Sequence, residues 1–167
     1  FGIVYGISAF GLSQDLKISR KEASEYINNY FASYPKIKEF LDQAVVTAKK
    51  QGYIATYYHR RRPVPELASS NFMQRSFGER IAMNSPIQGT AADIIKLAMI
   101  RVDQRLHSEN LKARLVLQVH DELLVEAPVE EEARVREILH EEMMGVTDFP
   151  VEMDIDIQSG SDWYEAH

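Results

Sequence analysis

The sequence predicts an α+β domain, built from helices in its first two thirds and short antiparallel strands after them. Three observations predict it. Capped and proline-initiated helical stretches dominate up to about Glu109. Two short apolar, β-prone runs then flank a polar turn at His120-Asp121-Glu122. Near the end, Val151 to Ile157 alternates strictly between apolar and acidic residues, the period-two signature of a half-buried strand.

The elements follow in order. Phe1 to Ser8 reads as a helix end, with Gly6 near its stop. Ser19-Arg20-Lys21-Glu22 is a capping box that starts a helix running to about Tyr34. Pro35 suits the first turn of the next helix, which ends near Gly52. Tyr53 to Tyr58 is β-prone, and Pro63 and Pro65 break the stretch that follows. Phe72 to Asn84 reads as a helix that Pro86 should interrupt, because proline lacks the N–H and restrains Ser85. Thr90-Ala91-Ala92-Asp93 resembles a fresh N-cap for a helix continuing to about Glu109. Arg114 to Val119 and Leu123 to Glu126 form the hairpin, and Glu130 to Met144 a helix with acidic residues in its first turn, where the helix dipole favours them.

Composition narrows the function. The 167 residues suggest one domain or most of one. A hydrophobic share of 45% supports a packed core. The absence of cysteine excludes disulfides and thiolate metal sites. No apolar run is long enough to cross a bilayer, and no signal segment opens the chain. The opening at Phe1, without an initiator Met, reads as a fragment. The net charge of −6 is unevenly distributed. Residues 1–120 carry 17 basic and 10 acidic side chains, whereas residues 121–167 carry 2 basic and 15 acidic ones. Phosphate contacts depend on local potential, so the overall negative charge does not exclude a nucleic-acid partner.

Four segments offer chemistry, each with a plainer alternative. Asp121 and Glu122 project adjacent carboxylates from a turn, which suits a hard divalent cation and equally suits a polar turn with His120 packed nearby. Arg80 and Asn84 lie one helical turn apart with Gln88 just beyond Pro86. Those residue types read groove acceptors, or simply solvate a helix end. Tyr57 and Tyr58 precede His59-Arg60-Arg61-Arg62, a cluster fit for a phosphate backbone or for a solvated hairpin tip. Phe1 and Tyr5 share a helical face and offer either stacking on a base or core packing.

Taken together, these segments resemble family A DNA polymerases of the bacterial polymerase I type. Phe1-Gly2-Ile3-Val4-Tyr5-Gly6 resembles the end of the fingers helix that meets the incoming nucleotide. Glu79 to Asp93 is similar to the segment contacting template and primer, and Gln118-Val119-His120-Asp121-Glu122 to the palm hairpin carrying a catalytic Asp. Trp163-Tyr164-Glu165-Ala166-His167 is similar to the family's C-terminus. The likeness spans the whole chain in the family's order.

The resemblance implies a helical fingers portion over residues 1–52 and a partial palm over residues 53–167, in helix-hairpin-helix-strand order. It implies that Asp121, supported by Glu122, ligates two catalytic Mg2+ ions. His120 is expected near the primer terminus, and Arg80, Asn84 and Gln88 against template or minor groove. Arg60, Arg61 and Arg62 are expected on DNA, Phe1 beside the nucleotide sugar and Tyr5 beside the templating base. The implied partners are primer-template DNA and deoxynucleoside triphosphates, in a cytoplasmic enzyme of replication and repair. The family's triphosphate-gripping Arg and Lys, its first catalytic Asp and its thumb lie upstream of this chain. The fragment alone is therefore expected to be inactive. Where many members show Gly-Arg-Arg, this chain has His59-Arg60-Arg61. A non-catalytic DNA-binding module, a nuclease and a ligand-free structural domain are the rival readings. The acidic hairpin argues against the pure binder and the fingers-like opening against the nuclease.

Overall fold

A computed structural model of the chain describes residues 2–151 and 153–167. The α+β class is observed, with five α-helices and two small antiparallel sheets among the described residues. Contacts divide the chain into two compact units, residues 1–90 and 91–167.

In the first unit the backbone opens on a turn, not on helix. Ile7 N–H donates to the Gly2 carbonyl at 2.9 Å and Gly6 N–H to that of Ile3 at 3.1 Å, with Gly6 at φ 80°. That bond pair is the Schellman closure of a helix C-terminus, so the helix stop read at Gly6 is present. Phe1 lies outside the described residues. A side chain at Gly6 would also meet Met83 Cε at 2.7 Å. Helix α1 (Ala9–Leu16), which the sequence reading passed over, starts from Ser8, whose hydroxyl accepts from the Gly11 N–H at 3.1 Å.

The next two helices fall where their caps place them. Helix α2 (Arg20–Ser33) carries the complete Ser19–Glu22 capping box. Helix α3 (Pro35–Gln51) has proline in its first turn and ends on Gly52 in the left-handed region. Strand β1 (Tyr53–Ala55) pairs with β2 (Arg61–Pro63), so the β-prone run is shorter than its sequence suggests and Tyr57 and Tyr58 lie in the connecting loop. Ala44 and Ala48 of α3 pack with Ile54, Val64, Leu67 and Ala82 to form this unit's core.

The long helix α4 (Phe72–Ser108) corrects the reading at Pro86. The helix is continuous through the proline, and Thr90 is no N-cap. Its hydroxyl instead donates back to the Pro86 carbonyl at 2.5 Å, four residues earlier. The missing N–H and the restraint on Ser85 do not break the helix here, where residues of the β1–β2 segment contact it on both sides of the proline.

In the second unit Val102 and Leu106 of α4 pack with Ala113, Val135 and Ile138. Strands β3 (Arg114–Val119) and β4 (Glu122–Glu126) form the expected hairpin, with a bulge between Leu115 and Leu117 that displaces the inside-outside alternation. Helix α5 (Glu132–Met144) follows a 3-10 turn over Val129–Glu131. The Glu131 carboxylate accepts from the backbone N–H groups of Lys112 and Ala113 at 3.0 and 2.9 Å, which ties the start of the hairpin down.

The last expected strand is not one. Among its described residues, Met153, Ile155 and Ile157 are half-buried and Asp154 and Asp156 exposed, so the alternation is present. Among the described residues no strand pairs with the segment, and a strand is defined by its ladder. Arg136 Nη1 donates to the Ile157 carbonyl at 2.9 Å and holds the segment against α5.

An ionic cluster joins α4 to α5. Both Glu109 oxygens accept from Arg134, at 2.6 and 2.7 Å, and Arg105 Nε lies 2.5 Å from Glu109 Oε1. The Arg134 and Arg105 hydrogen bonds hold the Glu109 carboxyl down at about 2. A depressed folded-state pKa stabilises the fold above the unfolded value, and that contribution disappears as pH falls through the folded one. Between pH ~4.5 and ~2, wild-type protein is expected to lose stability that Glu109→Gln lacks from the outset. Urea unfolding midpoints across that window test this; parallel pH profiles for the two proteins contradict it.

Candidate functional site

The β3–β4 hairpin closes in a two-residue turn. Val119 pairs with Glu122, so His120 and Asp121 alone make the turn. His120 takes φ 50°, the left-handed region that a side chain occupies only at a cost. Gln118 Nε2 donates to the His120 carbonyl at 2.8 Å and braces the turn. The result is an exposed Asp121 at the tip of a two-strand base. Its carboxylate has no hydrogen bond or ion pair among the described residues.

Glu122 is in a different position. Its Oε1 accepts from Trp163 Nε1 at 3.4 Å and lies 3.2 Å from His167 Nδ1. Sequence adjacency suggested that the two carboxylates act as a pair. The fold leaves Asp121 free and turns Glu122 toward the segment that contains Trp163 and His167. No group of three or more His, Asp or Glu side chains converges as a metal cage among the described residues. A hard divalent cation takes one or two carboxylates and completes its shell with water and substrate phosphates. The free Asp121 carboxylate fits that donor chemistry as one ligand.

In the first unit, Arg80, Asn84 and Gln88 recur every four residues along unbroken helix, which places all three on one face of α4. Arg80 and Gln88 are exposed. Asn84 is half-buried, and its Oδ1 is shielded without a hydrogen-bond partner among the described residues. Asn84 and Tyr5 line a common apolar cleft of about 380 Å3, together with Val4, Ile37, Phe40 and Met83.

The basic cluster is engaged with its own unit. Arg60 Nη2 donates to the Gly89 carbonyl at 3.2 Å and Arg62 Nη1 to Ser85 Oγ at 3.3 Å. The Arg61 guanidinium lies 4.8 Å from the centre of the Tyr53 ring. Two of the three arginines thus touch the helix that carries Asn84 and Gln88. Nothing local in the sequence signals that contact, because the partners lie 23 to 29 residues apart.

Comparison with known proteins matches these features to one family. The chain is 53% identical to DNA polymerase I of Caldicellulosiruptor bescii over 166 residues, which is 99% of this chain and 20% of that protein. It is 54% identical to DNA polymerase I of Geobacillus stearothermophilus, again over 99% of this chain and 19% of the relative. The chain thus spans about a fifth of the length of the curated relatives it matches. Among solved structures, it is similar to the POL domain of Pol1 from M. smegmatis in complex with DNA primer-template and dNTP. That likeness has a TM-score of 0.95 and 43% identity, and covers 99% of this chain and 29% of the other. A family profile matches residues 1–165, so the turn bearing Asp121 and the helix face bearing Arg80, Asn84 and Gln88 are parts of one continuous match, and the chain belongs to DNA polymerase family A.

Proposed function

We propose that this chain is the part of a polymerase I-type enzyme that supplies a catalytic carboxylate and contacts to the primer terminus. The complete enzyme is a DNA-directed DNA polymerase. It adds deoxynucleotides to a primer 3′ end on a DNA template, in replication and repair. Residues 1–52 are the fingers portion and residues 53–167 the palm portion, working in the cytoplasm on primer-template DNA and deoxynucleoside triphosphates. The observation that carries this reading is the free Asp121 carboxylate at the tip of a braced hairpin, in a chain matched to the family over residues 1–165.

Asp121 is the residue that holds the divalent metal, which we take to be Mg2+ acting as a pair in the complete enzyme. A metal held there would supply positive charge to favour ionisation of the primer hydroxyl and to offset charge on the phosphates. Glu122 stands beside this ligand in support, through the oxygen not engaged by Trp163 and His167. His120 lies in the same turn and faces the primer end. Arg80, Asn84 and Gln88 donate to minor-groove acceptors at the terminal pair. Those acceptors are nearly the same for every base pair, so the contacts sense pair geometry without reading sequence. Tyr5 borders the templating base and Phe1 the nucleotide sugar. Arg61 approaches the DNA backbone, while Arg60 and Arg62 reach it from side chains already bonded to α4.

Arg80→Ala and Gln88→Ala in the complete enzyme test the terminal contacts. Each is expected to slow extension by about 1–3 kcal/mol of lost hydrogen bonding, roughly fivefold to 150-fold. The loss should differ between matched and mismatched ends. Rapid-quench extension of both end types measures it, and unchanged rates on both would remove these residues from the site.

A further inference from the structure

Proline inside a helix removes one rung of the hydrogen-bond ladder and crowds the carbonyl four residues before it. Pro86 nevertheless sits within unbroken α4, between Asn84 and Gln88. The β1–β2 loop meets the helix at this point. Tyr57 N–H donates to Thr90 Oγ1 at 2.9 Å, and the same hydroxyl donates to the Pro86 carbonyl at 2.5 Å. Arg60 binds the Gly89 carbonyl, and Arg62 binds Ser85, which is buried. The approach is close: a side chain at Gly89 would stand 2.6 Å from Thr56 Cγ2. Thr56 has little room to retreat, because its hydroxyl accepts from the Arg60 N–H at 3.1 Å within the loop.

We propose that the β1–β2 loop is a positioning element for the Asn84–Gln88 stretch, holding α4 helical through Pro86 and so setting how strictly the enzyme rejects a mismatched primer end. Thr90 is its central positioning residue. One hydroxyl accepts from the loop and donates to the helix, so it couples the two. Ser85 and Gly89 are held on either side of the proline. If the loop let go, the helix would be free to bend at Pro86, and Gln88 would move relative to Asn84 and Arg80. The proposal rests on the reading of Asn84 and Gln88 as primer-terminus contacts. It adds that discrimination depends on Thr90, which that reading does not place on DNA.

The test uses the complete polymerase carrying these substitutions. Thr90→Val keeps the shape and removes the hydroxyl, Thr90→Ser restores it, and Gly89→Ala pushes the loop off. Single-turnover extension is measured from matched and mismatched ends, with DNA affinity beside it. Thr90→Val and Gly89→Ala are expected to reduce the matched-to-mismatched ratio about tenfold, the effect of losing one or two hydrogen bonds that orient the contacts. Thr90→Ser is expected to stay within about twofold of the parent, and DNA affinity likewise in both Thr90 variants. An unchanged ratio in Thr90→Val, with Gln88→Ala altering it, overturns the positioning role and leaves the terminal contacts standing. A ratio unchanged even in Gln88→Ala overturns both. Thr90→Ser behaving like Thr90→Val overturns the role of the hydroxyl. Where Thr90→Val does not fold, Gly89→Ala is read by the same criteria.

Discussion

Asp121→Asn in the complete enzyme is expected to cut the incorporation rate by on the order of a thousandfold, about 4 kcal/mol of transition-state stabilisation. DNA affinity should stay nearly unchanged. Asp121 is exposed at the tip of its hairpin and makes no hydrogen bond or ion pair among the described residues, so its substitution removes no packing. Asparagine keeps the size and one oxygen but gives up the charge, and a hard cation is held chiefly by charged oxygen. Glu122 is a poor substitute, since one of its oxygens is already engaged by Trp163 and His167. Quenched-flow incorporation and equilibrium DNA binding, measured side by side, separate the two effects. Near-normal incorporation would remove Asp121 from the chemistry.

The second large effect concerns the 167-residue polypeptide made alone. It is expected to give no templated incorporation with Mg2+ and primed DNA. Asp121 is the carboxylate that the hairpin leaves free, and no cage of three acidic or imidazole side chains accompanies it among the described residues. Mg2+ keeps its waters unless several anionic ligands converge, so one carboxylate binds it poorly. The family resemblance puts the partner Asp and the triphosphate-gripping residues on other segments, and the chain spans about a fifth of its relatives' length. Primer extension with highly purified polypeptide decides the matter. Incorporation that disappears in an Asp121→Asn control would show that the chain holds a working metal site unaided.

The features that proved legible in the sequence are those written locally. The Ser19–Glu22 capping box, Pro35 in a first helical turn and Gly52 at a helix end each specify a boundary through residues within one turn of it. The β3–β4 hairpin was legible because two apolar runs flank a polar turn, and its two-residue loop fixes which side chains reach the tip. Misreadings came where the deciding partner is distant. Pro86 reads as a break because the residues that contact the helix on either side of it, Tyr57, Arg60 and Arg62, lie 23 to 33 residues from the partners they bind. The contacts of Glu122 with Trp163 and His167, which follow 41 and 45 residues later, have no local sign in the sequence either. The segment after Val151 has the alternation of a strand, and alternation records which face is covered without supplying a neighbour to pair with. Helix α1 was missed for a different reason: its Ser8 cap has no acidic residue three positions on to complete a box.

The central claim is that Asp121 ligates the catalytic metal while Glu122 remains on its own partners. A crystal structure of the complete enzyme with primer-template DNA, an incoming nucleotide and Mg2+ tests it most directly. The expected result is an Asp121 oxygen at about 2.1 Å from a metal ion, with Glu122 Oε1 still accepting from Trp163 and His167. A metal ion held by other residues, with Asp121 facing solvent, would contradict the account.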